Sequence, residues 1–144
     1  MNESLTDLNL PTPMPDTEII VCTTCRPAGA SRELPAHGLA LFEAVQEALL
    51  VCELDTGEHE GLQLRGQACM SGCSRACTVT LQAQGKFTYY FGDLPSDAET
   101  AAQVLACAQL HKHSADGNLA RNTRPERLRG GILARLPPVG LGST

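Results

Sequence analysis

Two groups of cysteines carry most of the chemistry available to this chain of 144 residues. Cys22 and Cys25 lie in the stretch VCTTCRP, and three further cysteines recur every four residues in CMSGCSRACTV, at Cys69, Cys73 and Cys77. Thiols clustered in this way are typical of a disulfide framework, a redox-active dithiol or a metal site. The rest of the sequence favours some of these alternatives over others.

Composition argues against a disulfide framework. Seven cysteines in 144 residues fall below the roughly 8–10% that marks a small disulfide scaffold. The N-terminal residues lack the basic and apolar regions of a signal peptide, and no apolar run approaches the roughly 20 residues that cross a bilayer. We therefore expect a cytoplasmic protein, in a compartment where thiols stay reduced.

The distribution of charge limits the partners of this protein. A net charge of −5, a pI of about 5.3 and 3% aromatic residues disfavour nucleic acid as a partner, and no membrane is expected. Five of the eleven basic residues nevertheless fall within residues 121–135. We predict that four of them dock an acidic redox partner protein, namely Arg124, Arg127, Arg129 and Arg135. A homodimer is compatible with the sequence.

The basic segment also has a structural interpretation. Charge runs are often solvated surface, and the apolar residues between these arginines would then cover part of the sheet. Those residues are Leu128, Ile132, Leu133 and Leu136. The two interpretations are compatible with each other.

Hydrophobic periodicity predicts four strands and two helices. They are a strand at 17–22, a helix at 37–53, a strand at 62–67, a hairpin of strands at 77–83 and 86–94, and a helix at 95–113. The order β-α-β-β-β-α indicates an α/β fold of the reduced thioredoxin-like type, with a four-stranded mixed sheet and two main helices. The predicted parts are a flexible leader (1–16), a metal- or cluster-binding domain (17–113) and an Arg/Pro/Gly-rich C-terminal extension (114–144).

Both cysteine groups fall at one end of this predicted sheet. Cys22 and Cys25 follow the first strand, while Cys69, Cys73 and Cys77 occupy the loop before the hairpin. Cys-x2-Cys and Cys-x3-Cys spacings allow pairs of sulfurs to reach one metal centre. Four thiolates from two loops suit either tetrahedral zinc or a 2Fe–2S cluster, and the spacing leaves both open.

A CxxC thiol–disulfide oxidoreductase that uses Cys22 and Cys25 is a further alternative. Such a dithiol needs one thiolate of low pKa, usually beside the N-terminus of a helix. The predicted helix begins twelve residues after Cys25, and no proline between Pro35 and Pro95 could supply the cis-Pro that faces the dithiol in thioredoxin-type enzymes. The sequence therefore favours a metal site.

The other cysteines and the histidines have structural interpretations. Cys52 and Cys107 lie on the apolar faces of the predicted helices, where cysteine behaves as a small buried hydrophobe. The histidines are expected at the surface or at helix ends and not as ligands, and they are His37, His59, His111 and His113. No phosphate loop, Ser/His/Asp set or carboxylate pair is present, so no catalytic residue is predicted.

The run CMSGCSRACTVTLQAQGKFTYYFGDL resembles the second half of the thioredoxin-like 2Fe–2S ferredoxins, which also occur as a module of bacterial respiratory complex I. In that group a Cys-x3-Cys loop precedes an alternating hairpin, and another ligand ends the first strand. The resemblance implies that Cys69 and Cys73 bind a 2Fe–2S cluster together with Cys22. It also implies a small electron carrier more than an enzyme.

A closer resemblance, over residues 17–138, is to a bacterial family of uncharacterised, predicted metal-binding proteins. The stretches VCTTCR, GKFTYYFGDL and RPERLRGGILARLPP and the Cys-rich loop all resemble its signature. This family is associated with cobalamin-related gene neighbourhoods, which implies a link to cobalamin-related metabolism.

Two departures from the ferredoxin pattern affect the ligand set. Cys22 and Cys25 are closer together than the first two ferredoxin ligands, and Cys77 stands where those proteins usually carry proline. We predict Cys22, Cys25, Cys69 and Cys73 as the metal ligands, with Cys77 as the alternative fourth ligand. A zinc-binding protein with a structural or metal-handling function would use the same set.

Overall fold

The computed structural model describes residues 16–55 and 61–140, so the predicted leader lies outside the described residues except for Asp16. The regular elements are β1 (Thr17–Cys22), α1 (His37–Asp55), β2 (Leu62–Gln67), β3 (Val79–Gln82), β4 (Thr88–Phe91), α2 (Ala98–His113) and β5 (Ile132–Leu136). Short 3₁₀ helices occur at Cys73–Arg75, Arg121–Thr123 and Glu126–Leu128. Within the described residues, no helix has the length and apolar character needed to cross a membrane.

The strands form one mixed sheet in the order β2-β1-β3-β4-β5. β1 runs parallel to β2 and antiparallel to β3, and β3 and β4 form the predicted hairpin. Parallel neighbours require a crossover connection, which α1 supplies between β1 and β2. The α/β class, the mixed sheet and both helices are confirmed.

The sheet has five strands, which corrects the prediction of four. β5 pairs antiparallel with β4, so that Ala134 lies opposite Tyr90 and Leu136 lies opposite Thr88. The segment ILARL is short and lies in an arginine-rich stretch, so its alternation is a weak signal by itself. The open edge of β4 supplies the backbone donors and acceptors that pair it, and that edge exists only in the folded sheet.

One face of the sheet carries the apolar core. Ile19 and Val21 alternate along β1 and are completely buried, and they pack with Leu41 and Val45 of α1 and Val104 of α2. Fully burying an aliphatic side chain of this size contributes about 1.5–3 kcal/mol. This layer therefore holds both helices against the strand that ends at Cys22.

The start of α2 is set by an N-cap. The Asp97 carboxylate accepts a hydrogen bond from the Thr100 N–H at 2.9 Å, which satisfies one of the unpaired amides of the first turn. The same bond lowers the pKa of Asp97. The helix begins at Ala98, slightly later than the predicted start at residue 95.

His111 lies in the last turn of α2, at a helix end as predicted, but its side chain is completely buried. Its Nε2 lies 2.8 Å from the Phe87 carbonyl oxygen, and its Nδ1 lies 2.8 Å from the Thr17 hydroxyl. Because a carbonyl only accepts, Nε2 carries the proton and Nδ1 accepts from Thr17. The neutral ring therefore ties α2 to both β1 and the hairpin.

We expect His111 to make stability depend on pH. Burial lowers the pKa of His111, the Phe87 carbonyl opposes this, and the charge of Lys86 lowers the pKa further. Below a pH of about 6.5, the ordinary pKa of histidine, the unfolded chain therefore binds a proton at His111 more readily than the folded chain does. This contribution to stability is present above about pH 6.5 and is lost as the pH falls.

The measurement is the free energy of unfolding in urea between about pH 8 and pH 5. His111→Gln should reduce the slope and also destabilise the protein by about 1–3 kcal/mol at neutral pH, since it leaves buried groups unpaired. His113→Gln is the control, because His113 is exposed at the same helix end. An unchanged slope in His111→Gln would contradict this account.

Candidate metal centre

The sheet edge where β1 and β2 end brings the two cysteine groups together. Because these strands are parallel neighbours, Cys22 lies opposite Gln67 and both strands end at the same edge. β3 starts from that edge, with Val79 opposite Val21. The connection between β2 and β3 must therefore pass the end of β1, which brings Cys69 and its neighbours to the Cys22 loop.

Cys22 and Cys25 form a buried pair of thiols whose Sγ atoms are 2.9 Å apart. Burial raises the pKa of Cys22, but hydrogen bonds from Cys25, Thr24 and the Met70 amide outweigh it and lower the pKa to about 7. Burial and the hydrogen bond to Cys22 raise the pKa of Cys25 to about 12. One sulfur of the pair is thus readily ionised near neutral pH, while the other holds its proton.

The first turn of α1 packs directly against this pair, which corrects the sequence argument that no helix N-terminus is nearby. The Gly38 N–H donates to the Cys25 carbonyl oxygen at 3.0 Å. A Cβ at residue 38 would overlap the carbonyl oxygen of Cys22, so this close approach requires glycine. The loop 23–36 folds back and places the N-terminus of the helix against the backbone of Cys22 and Cys25.

Thr24 connects the two cysteine loops, and sequence analysis missed it. Its hydroxyl oxygen accepts a hydrogen bond from the Cys69 N–H at 3.0 Å and lies 3.7 Å from the sulfur of Cys22. A hydroxyl both accepts and donates, so the same group can donate to that sulfur when it is ionised. The only sequence signal is a hydroxyl residue between the two cysteines of CTTC.

Cys69 and Cys73 form a second, exposed pair of thiols. The charge of Cys69 and the hydrogen bond between these two thiols raise the pKa of Cys73, and the charge of Cys22 adds to the effect. The two pairs therefore lie within electrostatic range of each other. Cys69 and Ser71 adopt left-handed φ angles of 61° and 62°, an uncommon backbone conformation for residues other than glycine.

Cys77 has a different environment. It is buried within the apolar core, and burial together with the charge of Cys22 raises its pKa to about 11. Its backbone N–H and carbonyl pair with those of Leu94 at 3.1 and 3.2 Å, and the Ala76–Cys77 peptide bond is cis. Its backbone therefore holds the end of the cysteine loop against the segment that follows the hairpin.

Side chains from the hairpin side also anchor the exposed cysteine loop. Tyr90 of β4 donates its hydroxyl to the Met70 carbonyl at 2.7 Å, and a Cβ at Gly72 would overlap that hydroxyl. The Arg75 Nε atom lies 2.9 Å from both carboxylate oxygens of Asp93. Tyr90 thus positions the exposed cysteine loop through its hydroxyl group.

The remaining cysteines lie outside this site. Cys107 is completely buried, as predicted, and burial raises its pKa to about 12. Cys52 is partly buried on α1. Among the described residues, no three His, Cys, Asp or Glu side chains converge on a position that would hold a single metal ion. The four predicted ligands are therefore arranged as two adjacent pairs.

The four arginines predicted to dock a partner lie in the segment that ends with β5. Arg127 pairs with Asp97 at 2.6 Å, and Arg124 is buried. Arg129 and Arg135 are exposed. The ion pair of Arg127 and the burial of Arg124 hold the C-terminal segment on the domain. Docking of an acidic partner stays a prediction.

Among solved structures, a thioredoxin-like [2Fe-2S] ferredoxin from Aquifex aeolicus is similar to this chain with a TM-score of 0.50. The sequences are 19% identical, and the match covers 87% of this chain and 96% of that chain. A second structure, of the wild-type ferredoxin from the same organism, has a TM-score of 0.49, 16% identity and coverage of 82% and 96%. The likeness to the first structure shows a thioredoxin-like fold, in which this chain carries a cysteine-rich sheet edge.

The chain belongs to the family described as "Protein of unknown function (DUF1636)", whose model matches residues 19–138. The match spans β1 to β5 except for the first two residues of β1, and it includes all five clustered cysteines. The predicted membership of an uncharacterised family that resembles the thioredoxin-like ferredoxins is confirmed. No curated protein matches the chain significantly.

We expect Tyr90→Phe to loosen the exposed cysteine loop. The substitution removes the hydrogen bond to Met70 and should cost about 1 kcal/mol of stability, with faster amide hydrogen exchange at residues 69–73. Tyr89→Phe is a matched control, because the Tyr89 hydroxyl accepts from the Leu119 N–H instead. Equal exchange at residues 69–73 in both variants would show that Tyr90 does not position the loop.

Proposed function

We propose that this protein binds one 2Fe–2S cluster at the sheet edge and acts as a small ferredoxin-like electron carrier. The observation that carries the proposal is the pair of thiols at Cys22 and Cys25, which adjoins the pair at Cys69 and Cys73. The thioredoxin-like fold supports it. When bound, such a cluster supplies reversible uptake of one electron.

The donor set fits a two-iron cluster. A 2Fe–2S cluster takes four thiolates, two on each iron, and four thiols in two adjacent pairs suit that arrangement better than a single ion. Cys22, Cys25, Cys69 and Cys73 would hold the cluster. Cys25 is favoured as the fourth ligand because its sulfur lies 2.9 Å from the sulfur of Cys22. Cys77 is the weaker candidate because it belongs to the apolar core.

Other groups of the chain would tune the centre. Thr24 and the Met70 amide form hydrogen bonds to the sulfur of Cys22, and hydrogen bonds to ligand sulfurs alter the potential of iron–sulfur centres. The first cysteine pair is buried and the second is exposed, so an electron-transfer partner would approach from the side of Cys69 and Cys73.

The partner in this proposal is an acidic redox protein that binds Arg129, Arg135 and the neighbouring basic segment. Both side chains are exposed and would attract a complementary negative surface. Cytoplasmic localisation and a link to cobalamin-related metabolism remain predictions from the sequence and its resemblance.

The first test is the metal content and absorption spectrum of the protein purified without oxygen. About two irons and two acid-labile sulfides per chain, with charge-transfer bands in the visible range, are expected. Cys22→Ser, Cys69→Ser and Cys73→Ser should each abolish cluster assembly. Cys25→Ser compared with Cys77→Ser identifies the fourth ligand.

Cys52→Ala and Cys107→Ala are the controls, and both should retain the full iron and sulfide content because these residues lie on the helices. A colourless protein with one zinc and no sulfide would replace the electron carrier with a zinc protein. An intact cluster in Cys69→Ser would refute the ligand assignment.

A second candidate function, thiol–disulfide exchange, is favoured by the asymmetry of the buried pair. A Cys22 thiolate would attack the disulfide of a partner, and the Cys25 thiol would then displace the partner's sulfur. The partner would gain two electrons and two protons while Cys22 and Cys25 become a disulfide. Their Sγ separation of 2.9 Å requires little movement for this bond to form.

This function predicts a particular titration. The pKa of Cys22 near 7 and that of Cys25 near 12 mean that one thiolate of the pair forms as the pH rises through 7. Ultraviolet thiolate absorbance of the reduced, metal-free protein should show this step, and Cys22→Ser should remove it. A metal-free protein that reduces disulfides, with loss of that activity in Cys22→Ser, would favour the oxidoreductase over the electron carrier.

A further inference from the structure

A cavity of about 300 Å³ lies beside the candidate metal centre, between the loop 23–36 and Cys73. Arg26, Arg32 and Thr24 line it, together with residues 27–30. No acidic residue is found in the part of its lining that the structure describes. The volume lies at the lower end of the range of about 300–1,000 Å³ for pockets that bind small molecules.

The loop that joins β1 to α1 forms one wall of this cavity. It contains fourteen residues without helix or strand, and loops longer than about 12–15 residues are usually functional when they are ordered. The Ala30 N–H donates to the Pro27 carbonyl at 3.1 Å, and Gly29 between them has a φ of 84°. This turn requires glycine at its third position, so the wall has a defined conformation.

Arg26 is held in a fixed position at the wall of the cavity. Its Nη2 atom donates to the Leu34 carbonyl at 2.9 Å, which orients the guanidinium group. Arg32 is exposed and supplies a second positive charge.

We propose that this cavity binds a small anion with a carboxylate or phosphate group, held by Arg26 and Arg32. Guanidinium groups bind the oxygens of such anions through paired, charge-assisted hydrogen bonds. The bound anion would lie against Cys73, at the exposed side of the cysteine cluster. Binding requires neither a metal nor a redox partner, so this inference stands apart from the proposed electron carrier.

A small molecule fits these observations better than an acidic side chain of a partner protein. The cavity has a volume of about 300 Å³ and is lined by one loop and Cys73, and the Arg26 guanidinium is oriented there by its hydrogen bond to the Leu34 carbonyl. This volume suits a compact anion, whereas a folded protein partner would need a much larger contact area.

The first experiment is calorimetric titration of the full-length reduced protein with inorganic phosphate and with citrate at constant ionic strength. At least one of the two anions should show saturable binding with one site per chain. Arg26→Gln and Arg32→Gln should each weaken it about tenfold or more, as expected when a hydrogen bond to a charged group is lost. Arg121→Gln is the matched control, because Arg121 is an exposed arginine outside the cavity.

The second experiment locates the anion. The anion that binds should slow alkylation of Cys73 by iodoacetamide but leave Cys69, which does not line the cavity, unaffected. Arg32→Gln, an exposed substitution that should not disturb folding, should abolish this protection. Absence of saturable binding by both anions, or equal weakening by Arg121→Gln, would overturn the proposal. Binding of a hexaglutamate peptide without binding of either anion would also overturn it, in favour of a protein-docking surface.

Discussion

The parallel pairing of β1 with β2 is the constraint on which the candidate site depends. Two parallel neighbours end at the same edge of a sheet, and α1 supplies the crossover connection that this pairing needs. Cys22 ends β1 opposite Gln67 of β2, so the loop carrying Cys69 and Cys73 begins beside the loop carrying Cys25. The aliphatic layer beneath β1 holds this register, because a shift by one residue would turn Ile19 and Val21 away from the core.

The two halves of the site differ in environment, and the difference follows from their positions in the fold. The Cys22–Cys25 turn is covered by the first turn of α1, which reaches it through Gly38. The Cys69–Cys73 loop lies beyond the sheet edge and is held by Tyr90 from the open face of the hairpin. In the proposed electron carrier, the buried pair Cys22 and Cys25 would influence the reduction potential of the cluster. The exposed pair Cys69 and Cys73 would lie on the side that contacts partners and ligands.

Much of the C-terminal segment is an integral part of the folded domain. Leu128 is buried in the core, as the structural interpretation of the sequence expects, and residues 132–136 add a strand to the sheet. Arg124 is buried as well and lies over the ring of Tyr89 at 5.9 Å. Part of the positive charge in this segment therefore stabilises the domain itself.

Sequence by itself determined the element order, both helices, the first four strands and the grouping of cysteines at one end of the sheet. Periodicity and turn residues act over a few neighbours, and these features depend on such local preferences. Only the tertiary structure decided that Gly38 approaches Cys22, that Thr24 joins the two cysteine loops and that His111 is buried between elements. The fifth strand and the arginine-lined cavity belong with these. Each depends on contacts between segments far apart in the chain, which exist only when the whole core has packed and which no local pattern records.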